Sequence, residues 1–173
     1  MADETAAFDP RGILAALDRS YVSYVLIGGL ARVLRGADEI TAGVDICPSL
    51  RPDNLERLDG ALTELEARRR DRRTLRLDQD SVGGDPVIAL RTANGELKIV
   101  PEPAGTRGGW DDLRRGATRE HIGEGLRPYI ASVPDLARMA AALGRQQDLA
   151  RLPELRRIME VEVRLQRTLG LER

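Results

Sequence analysis

Cysteine, histidine and lysine each occur once in the 173 residues, and aromatic residues make up only 3% of them. The single cysteine, Cys47, cannot form an internal disulfide, which favours a reducing compartment. His121 has no cysteine or second histidine nearby, so we interpret it as a surface or structural residue rather than a general base. The shortage of aromatic rings argues against a surface for stacking nucleic-acid bases. Trp110 is interpreted as an anchor for its loop, with ligand stacking as the alternative.

The chain also has little net charge and no long apolar runs. Its formal charge is −1 and its pI is near 6.0, so no overall positive field attracts nucleic acid or an anionic membrane. No apolar run approaches the length that spans a bilayer, and none precedes the first predicted helix. We therefore expect one soluble, cytoplasmic domain over residues 1–173, with a loose tail at 1–8 and a helical part at 133–170.

Hydrophobic periodicity and turn residues predict an α/β fold, in which helices flank a small mixed sheet of five or six strands. A helix begins after Asp9-Pro10 and ends near Arg19, and the strongest helix pattern spans Asp53–Arg68. Pro153 predicts a kink or break in a long C-terminal helix. The other predicted segments are strands at 24–27, 44–47, 87–91 and around Lys98, a hairpin of 117–122 with 126–131, helices at 28–35, 110–115 and 132–143, and a polar loop at 77–85.

The junction at Gly28-Gly29 separates a buried strand from a short helix. A diglycine at such a junction leaves backbone N–H groups open to a phosphate, although it is also a common tight turn. One carboxylate, Asp45, then lies between apolar neighbours on the next predicted strand. The diglycine followed by this strand is a more specific sign of a phosphate-binding site than either feature alone.

These residues resemble the nucleotidyltransferase superfamily, in particular the small bacterial branch related to the AbiEii-type abortive-infection toxins. That family has a G-G pair, a short helix and T-x-D-x-D, where this chain has Thr41-Ala42-Gly43-Val44-Asp45. In the family, the two aspartates and a third carboxylate from a neighbouring strand hold divalent metals, which clamp a triphosphate and activate the attacking hydroxyl. The resemblance covers about residues 10–158 and implies a nucleotidyltransferase-like mixed sheet with C-terminal helices.

The chain departs from the family at the positions that carry the chemistry. Gly43 stands at the first aspartate position, and only Asp45 remains of that pair. The family often reads L-D-L-L before P-E-P-A-G-T, whereas Lys98 replaces the acid ahead of the matching residues 101–106. Two lysine positions of many relatives are also neutral here, at Ala140 and Gln147. An ammonium beside the one remaining carboxylate would repel a dication, so we expect no metal site and a salt bridge between Asp45 and Lys98 instead.

The resemblance implies one functional site with two groups of residues. The catalytic positions are Asp45, Lys98 and Gly43. The implied nucleotide- or phosphate-binding residues are Gly28, Gly29, Arg32, Thr41 and Arg145. No cofactor is expected; Mg²⁺ and a nucleoside triphosphate would be required only by an active enzyme.

An arginine run follows the helix predicted at 53–68. We interpret it as the solvated end of that helix, with a patch for RNA or DNA phosphates and a protein interface as alternatives. Its members are Arg68, Arg69, Arg70, Arg72, Arg73 and Arg76.

Three hypotheses about function follow. The leading one is a pseudoenzyme that has lost metal-dependent transfer and acts as a binding or regulatory module, with a nucleotide, RNA or a protein as its partner. The second is an active, toxin-like transferase in which Asp45 acts with Glu96 or Glu102. The third is metal-free chemistry with Lys98 as base or nucleophile. An AbiEii-type protein would often imply a toxin–antitoxin pair.

Overall fold

The computed structural model describes residues 7–170, which contain one seven-stranded mixed sheet and eight helices. The strand order is β3-β4-β5-β2-β1-β7-β6. The strands are β1 Tyr24–Ile27, β2 Gly43–Pro48, β3 Arg68–Arg69, β4 Ile88–Thr92, β5 Gly95–Ile99, β6 Thr118–Arg119 and β7 Tyr129–Ile130. The helices are α1 Pro10–Arg19, α2 Gly28–Leu34, α3 Pro52–Glu64, α4 Gln79–Gly83, α5 Trp110–Gly116, α6 Val133–Leu143, α7 Gln146–Leu149 and α8 Leu152–Thr168.

The centre of the sheet is formed by β1, β2 and β5. β2 pairs antiparallel with β1 and parallel with β5, and β5 forms a hairpin with β4. Alternate residues of β2, β4 and β5 are fully buried, including Ile46, Leu90 and Leu97. The residues between them point to the opposite face, because side chains alternate along a strand. The predicted α/β class is confirmed, with seven strands rather than five or six.

Helices α1 and α3 cover the buried face of the sheet. Each presents a stripe of buried leucines at helical spacing, and the two helices contact each other. Asp9 caps α1 as predicted, because its carboxylate accepts a hydrogen bond from the Gly12 N–H at 3.1 Å. On the opposite face of the sheet, the residues of β2, β5 and β4 are mostly polar or small.

The predicted end of α3 was wrong. The helix ends at Glu64 rather than Arg68, and Glu66 adopts a left-handed conformation with φ of +52°. Arg68 and Arg69 then form β3, which pairs antiparallel with β4. Pairing with β4 thus gives the backbone N–H and C=O groups of this segment hydrogen-bond partners. In a longer helix, the carbonyl groups of the last turn would have lacked such partners. The arginine run therefore begins in an edge strand and not in a helix.

Two further segments differ from their predicted forms. Residues 77–85 contain the short helix α4, which is capped by Asp78 and anchored by the buried Val82. The 117–122 and 126–131 hairpin forms with only two residues in each strand, so His121 lies beyond β6. The break at Pro153 is confirmed, since α7 and α8 are separate and Pro153 lies in the first turn of α8. Within residues 7–170, no helix has both the length and the apolar character to cross a membrane.

Tyr21 occupies a backbone position that favours glycine. It follows α1 with φ of +55°, where the Val22 N–H donates to the Leu17 carbonyl, and its side chain is 80% exposed. We expect Tyr21→Gly to raise the free energy of unfolding by up to about 1 kcal/mol, since relief of left-handed strain outweighs the entropy of glycine. Chemical denaturation measures the change, and a clear loss of stability would show that the exposed ring packs on the fold.

Candidate functional site

An open cleft of about 260 Å³ lies where β1 passes into α2, and we call it the Asp45 cleft. Residues predicted from the sequence that line it are Gly29, Arg32, Thr41, Gly43, Asp45 and Lys98. The cleft also contains two carboxylates, Glu39 and Glu96. Of these, Glu96 was named from the sequence only as an alternative partner for Asp45.

The register of β2 and β5 explains this grouping. Asp45 pairs with Lys98 and Gly43 pairs with Glu96, so all four positions share the exposed face of two adjacent parallel strands. Lys98 therefore lies beside Asp45, where the resemblance implies the third carboxylate. The predicted salt bridge is not formed, because no close ion pair joins the two side chains among the described residues. Their attraction acts at longer range and lowers the pKa of Asp45.

Gly28 makes room for the carboxylate of Asp45. The glycine has φ of +70°, and a Cβ atom at this position would lie 2.1 Å from Asp45 Oδ2. Ile27, the preceding residue, is the β1 partner of Asp45 in the sheet register. The diglycine junction thus has a steric role for the central acid of the cleft, in addition to the phosphate role implied by the resemblance.

Burial raises the pKa of Asp45 above its ordinary value. Lys98, Arg32 and Arg145 lower this pKa through their positive charges, and Glu96 raises it, but burial is the largest influence. The charged form of Asp45 is therefore incompletely compensated by its neighbours. A cation or hydrogen-bond donor entering the cleft would stabilise that charge.

The raised pKa leads to a prediction about stability and pH. An aspartate with a raised pKa does not lower the free energy of unfolding while it is protonated in both states. The free energy of unfolding falls as the pH rises from the unfolded-state pKa through the folded-state pKa. We expect Asp45→Asn to be more stable than the natural protein at pH 7, with the difference vanishing below about pH 4, near the ordinary aspartate pKa. Denaturation at several pH values measures this. The exposed Asp53, changed to Asn, serves as control, and a less stable Asp45→Asn at pH 7 would contradict the prediction.

Arg32, an implied phosphate-binding residue, already has an anionic partner. Its Nε and Nη2 donate to the two carboxylate oxygens of Glu39 at 2.8 and 2.9 Å. The Glu39 side chain is only 5% exposed, and Arg151 approaches it to 3.8 Å. A bidentate pair of this kind fixes the guanidinium and offsets its charge. Arg32 would have to exchange or share Glu39 in order to hold a phosphate.

Arg145 is similarly paired. Gly144 ends α6 in a left-handed conformation, and Arg145 then donates from Nε to Asp148 Oδ2 at 2.5 Å. Arg145 is still near enough to lower the pKa of Asp45, so it belongs to the surroundings of the cleft. Its partner Asp148 is buried, with a side chain that is 8% exposed.

The arginine run divides into residues of different surroundings and is not one solvated patch. Arg69 is 8% exposed and is held by Asp71 and Asp85, and its hydrogen bonds to them raise its pKa. Arg73 contacts the same two carboxylates. Arg70 forms an ion pair with Glu96 at 2.9 Å and so extends to the edge of the cleft. Exposed members that form no close ion pair with a carboxylate of residues 7–170 are Arg68, Arg72 and Arg76, although the charge of Arg76 lowers the pKa of Asp78.

Glu39 and Asp148 received no role in the sequence analysis, and Glu96 was named there only as an alternative partner for Asp45. Glu96 alternates with Lys98 on one strand, and this two-residue spacing was a usable sign that both face the cleft. Glu39 lies in the irregular connection between α2 and β2, and Asp148 lies in the four-residue helix α7; neither segment is long enough for periodicity to indicate direction. Glu102 lines another cavity, next to Trp110, and the structure does not bring it to Asp45. Cys47 is buried as predicted, and burial raises the pKa of its thiol to about 12.

The residues of the cleft do not fit a divalent metal. Glu39 is held by Arg32, Glu96 by Arg70, and Asp45 has Lys98 as its strand neighbour. Across residues 7–170, no group of three or more histidine, cysteine, aspartate or glutamate side chains is arranged to hold a metal ion. A hard dication needs several free oxygen ligands, and here each carboxylate has a cation beside it.

The structure is similar to the crystal structure of a candidate nucleotidyltransferase from Thermotoga maritima, with 16% identity, a TM-score of 0.54 and coverage of 83% of this chain and 88% of that chain. It also aligns with two structures of the antibiotic-resistance factor ANT(2″)-Ia, each 14% identical. One is a solution structure (TM-score 0.49, covering 94% and 95%), and the other is a complex with adenylyl-2″-tobramycin (TM-score 0.48, covering 84% and 94%).

Neither the models of protein families nor the curated proteins gave a match to this sequence. The structural likeness at 16% identity concerns the fold, because so distant a similarity does not carry over a site or an activity. The match spans most of both chains. The chain therefore has the fold of the nucleotidyltransferases.

Proposed function

We propose that this protein is a nucleotidyltransferase-fold binding module whose Asp45 cleft holds an anionic ligand without a divalent metal and does not transfer nucleotides. The observation that carries the proposal is the register that sets Lys98 beside Asp45 and opposes Gly43 to Glu96. The resemblance implies a metal-binding carboxylate at each of two positions. Lys98, a cation, occupies one of them, and Gly43, which has no side chain, occupies the other.

The charges around the cleft support an anionic ligand. Lys98 is exposed and has no close carboxylate partner among the described residues, so its ammonium can meet a phosphate or carboxylate. Arg32 and Arg145 lie nearby but are held by Glu39 and Asp148. Lys98 is therefore the main binding group, and the paired arginines would act through longer-range attraction. A lysine can replace the charge of a metal beside a phosphate, but it does not activate an attacking hydroxyl as a metal does.

The second candidate is an active metal-dependent transferase. It is favoured by one observation: Glu96 lies directly across from Gly43 and shares its face with Asp45. Two carboxylates could thus share the cleft even though the first position of the motif is glycine. Against it, Arg70 holds Glu96 at 2.9 Å. The third candidate, Lys98 as a nucleophile, has less support because nucleophilic lysines are usually desolvated and Lys98 is exposed.

The assignment to one branch of the nucleotidyltransferase superfamily is part of the same proposal. The Gly28-Gly29 pair and the residues 101–106 that resemble P-E-P-A-G-T favour the AbiEii-type branch. On this proposal the protein is a cytoplasmic pseudoenzyme of a bacterial toxin–antitoxin type, and its partner is a nucleotide, RNA or a protein. Mg²⁺ has no role in it.

Thermal unfolding tests the proposal. We expect a nucleoside triphosphate to raise the melting temperature equally with EDTA and with Mg²⁺, because the ligand binds the folded state through Lys98. Lys98→Ala should reduce the shift, whereas Arg76→Ala, which removes an exposed cation away from the cleft, should retain it in full. A shift that requires Mg²⁺ and is lost in Glu96→Gln would instead support the active transferase. No shift under any condition would refute anion binding in this cleft.

A further inference from the structure

A second cavity, of about 390 Å³, lies at the other end of β1 from the Asp45 cleft, and we call it the Trp110 cavity. Tyr24 begins β1 and lines this cavity, whereas Ile27 ends β1 beside Asp45. Three residues of strand separate these positions by about 10 Å, so the two sites are distinct. The walls come from the end of α1, the start of β1, helix α5 and the β6–β7 hairpin.

The cavity gathers most of the aromatic side chains of the protein. The chain has five aromatic residues, and Tyr21, Tyr24, Trp110 and Tyr129 all line this one space. The low aromatic content argued against a surface that stacks bases. Composition, however, does not show whether the few aromatic residues lie together in the fold. Tyr21 is 80% exposed in a left-handed conformation, an unusual and costly placement for a large ring. The Nε1–H of Trp110 is buried and has no acceptor in the described part of the protein.

Three arginines give the same cavity a positive charge. Arg114, Arg119 and Arg127 line it with Asp18 as the only acidic lining residue, and none of the three forms an ion pair with a carboxylate of residues 7–170. Tyr129 orients two of them, because the guanidinium carbons of Arg114 and Arg119 lie 3.7 and 5.2 Å from its ring centroid. A ring contact fixes a guanidinium without neutralising it. Arg119 also donates from Nε to the Arg127 carbonyl oxygen at 3.1 Å, so its terminal N–H groups are the ones that face an anion.

We propose that the Trp110 cavity binds a nucleotide unit, with its phosphate on the arginines and its base against Trp110 and Tyr21. Because aromatic rings and arginines line the same cavity, it suits a ligand with both a planar aromatic part and an anionic part. The nucleotide can be free or part of a single strand, since both present the same base and phosphate. The proposal is independent of the function assigned to the Asp45 cleft.

The experiment uses Trp110, the only tryptophan, as a reporter inside the site. Adenosine monophosphate, adenosine, inorganic phosphate and a single-stranded oligoadenylate are each titrated against the full chain in EDTA, with tryptophan fluorescence as the signal. We expect saturable quenching by the monophosphate, with an affinity at least tenfold higher than that of adenosine or phosphate. Tighter binding of the oligonucleotide would assign the site to a strand, and tighter binding of the monophosphate would assign it to a free nucleotide.

Variants separate this site from general effects. Arg119→Gln and Tyr21→Gly should each weaken binding at least tenfold, and the latter should do so without a loss of thermal stability. Arg115→Gln, beside Arg114 but outside the cavity, should leave the titration unchanged. Absence of quenching by any nucleotide, equal affinity for phosphate alone, or full binding by both Arg119→Gln and Tyr21→Gly would overturn the proposal.

Discussion

Gly28→Ala should lower the free energy of unfolding by about 3 kcal/mol, because it combines an overpacked contact with a strained backbone. The added Cβ would lie 2.1 Å from Asp45 Oδ2 and 3.0 Å from Asp45 Cβ, and residue 28 has φ of +70°. The carboxylate would have to leave its position in the cleft or the junction would have to shift. Chemical denaturation gives the loss of stability directly.

Two controls separate the contact from the backbone strain. Gly36→Ala also places a side chain at a positive φ, of +108°, but nothing lies within 4 Å of its Cβ. It should therefore show only the strain, about 1 kcal/mol. Asp45→Gly combined with Gly28→Ala removes the facing side chain and should recover most of the additional loss. Equal losses in Gly28→Ala and Gly36→Ala would show that Asp45 moves aside freely and is not held by the junction.

Glu39→Ala should have two opposite effects. It should cost about 3–5 kcal/mol of stability, because it leaves the guanidinium of Arg32, 18% exposed, without its bidentate partner. It should also strengthen binding of an anion in the Asp45 cleft, since Arg32 becomes available and a negative charge is removed. Denaturation measures the first effect, and titration with a nucleoside triphosphate in EDTA measures the second.

The matched control for this change is Glu120→Ala. Glu120 also pairs with an arginine, Arg35, at 2.9 Å, but its side chain is 46% exposed. Its removal should cost no more than about 1 kcal/mol, as for other exposed ion pairs. Anion binding should not change, because this pair lies outside the cleft lining. A stable Glu39→Ala with unchanged anion affinity would contradict the role given to the Arg32–Glu39 pair.

Local patterns were sufficient to predict most of the elements. The leucine spacing of α3, the proline and cap residues of α1 and α6, and the alternation along β4 and β5 are short-range signals, and the structure has these elements nearly where they were predicted. The end of α3 could not be predicted from propensity. Arginines continue a helix well, but tertiary pairing with β4 draws Arg68 and Arg69 into the sheet.

The candidate site was predictable to the extent that it lies on strands. Asp45, Gly43, Lys98 and Glu96 share a face because of strand alternation and register. Glu39 lies in the connection between α2 and β2 and Asp148 in the short helix α7, and the placement of both segments beside the arginines they neutralise depends on the whole fold. The Trp110 cavity is assembled from four separate segments, so no local pattern indicates it. Side chains that meet only through tertiary packing are not visible in a single sequence.

The central claim is that the cleft binds without metal-dependent transfer, and a transfer assay tests it most directly. The natural protein and a Gly43→Asp/Lys98→Asp variant are each incubated with labelled nucleoside triphosphates, Mg²⁺ and bacterial RNA. The variant is sterically feasible, because a Cβ at residue 43 meets Glu96 at an ordinary 3.4 Å. We expect no transfer by the natural protein and measurable transfer by the variant. Transfer by the natural protein that is abolished in Asp45→Ala would contradict the account.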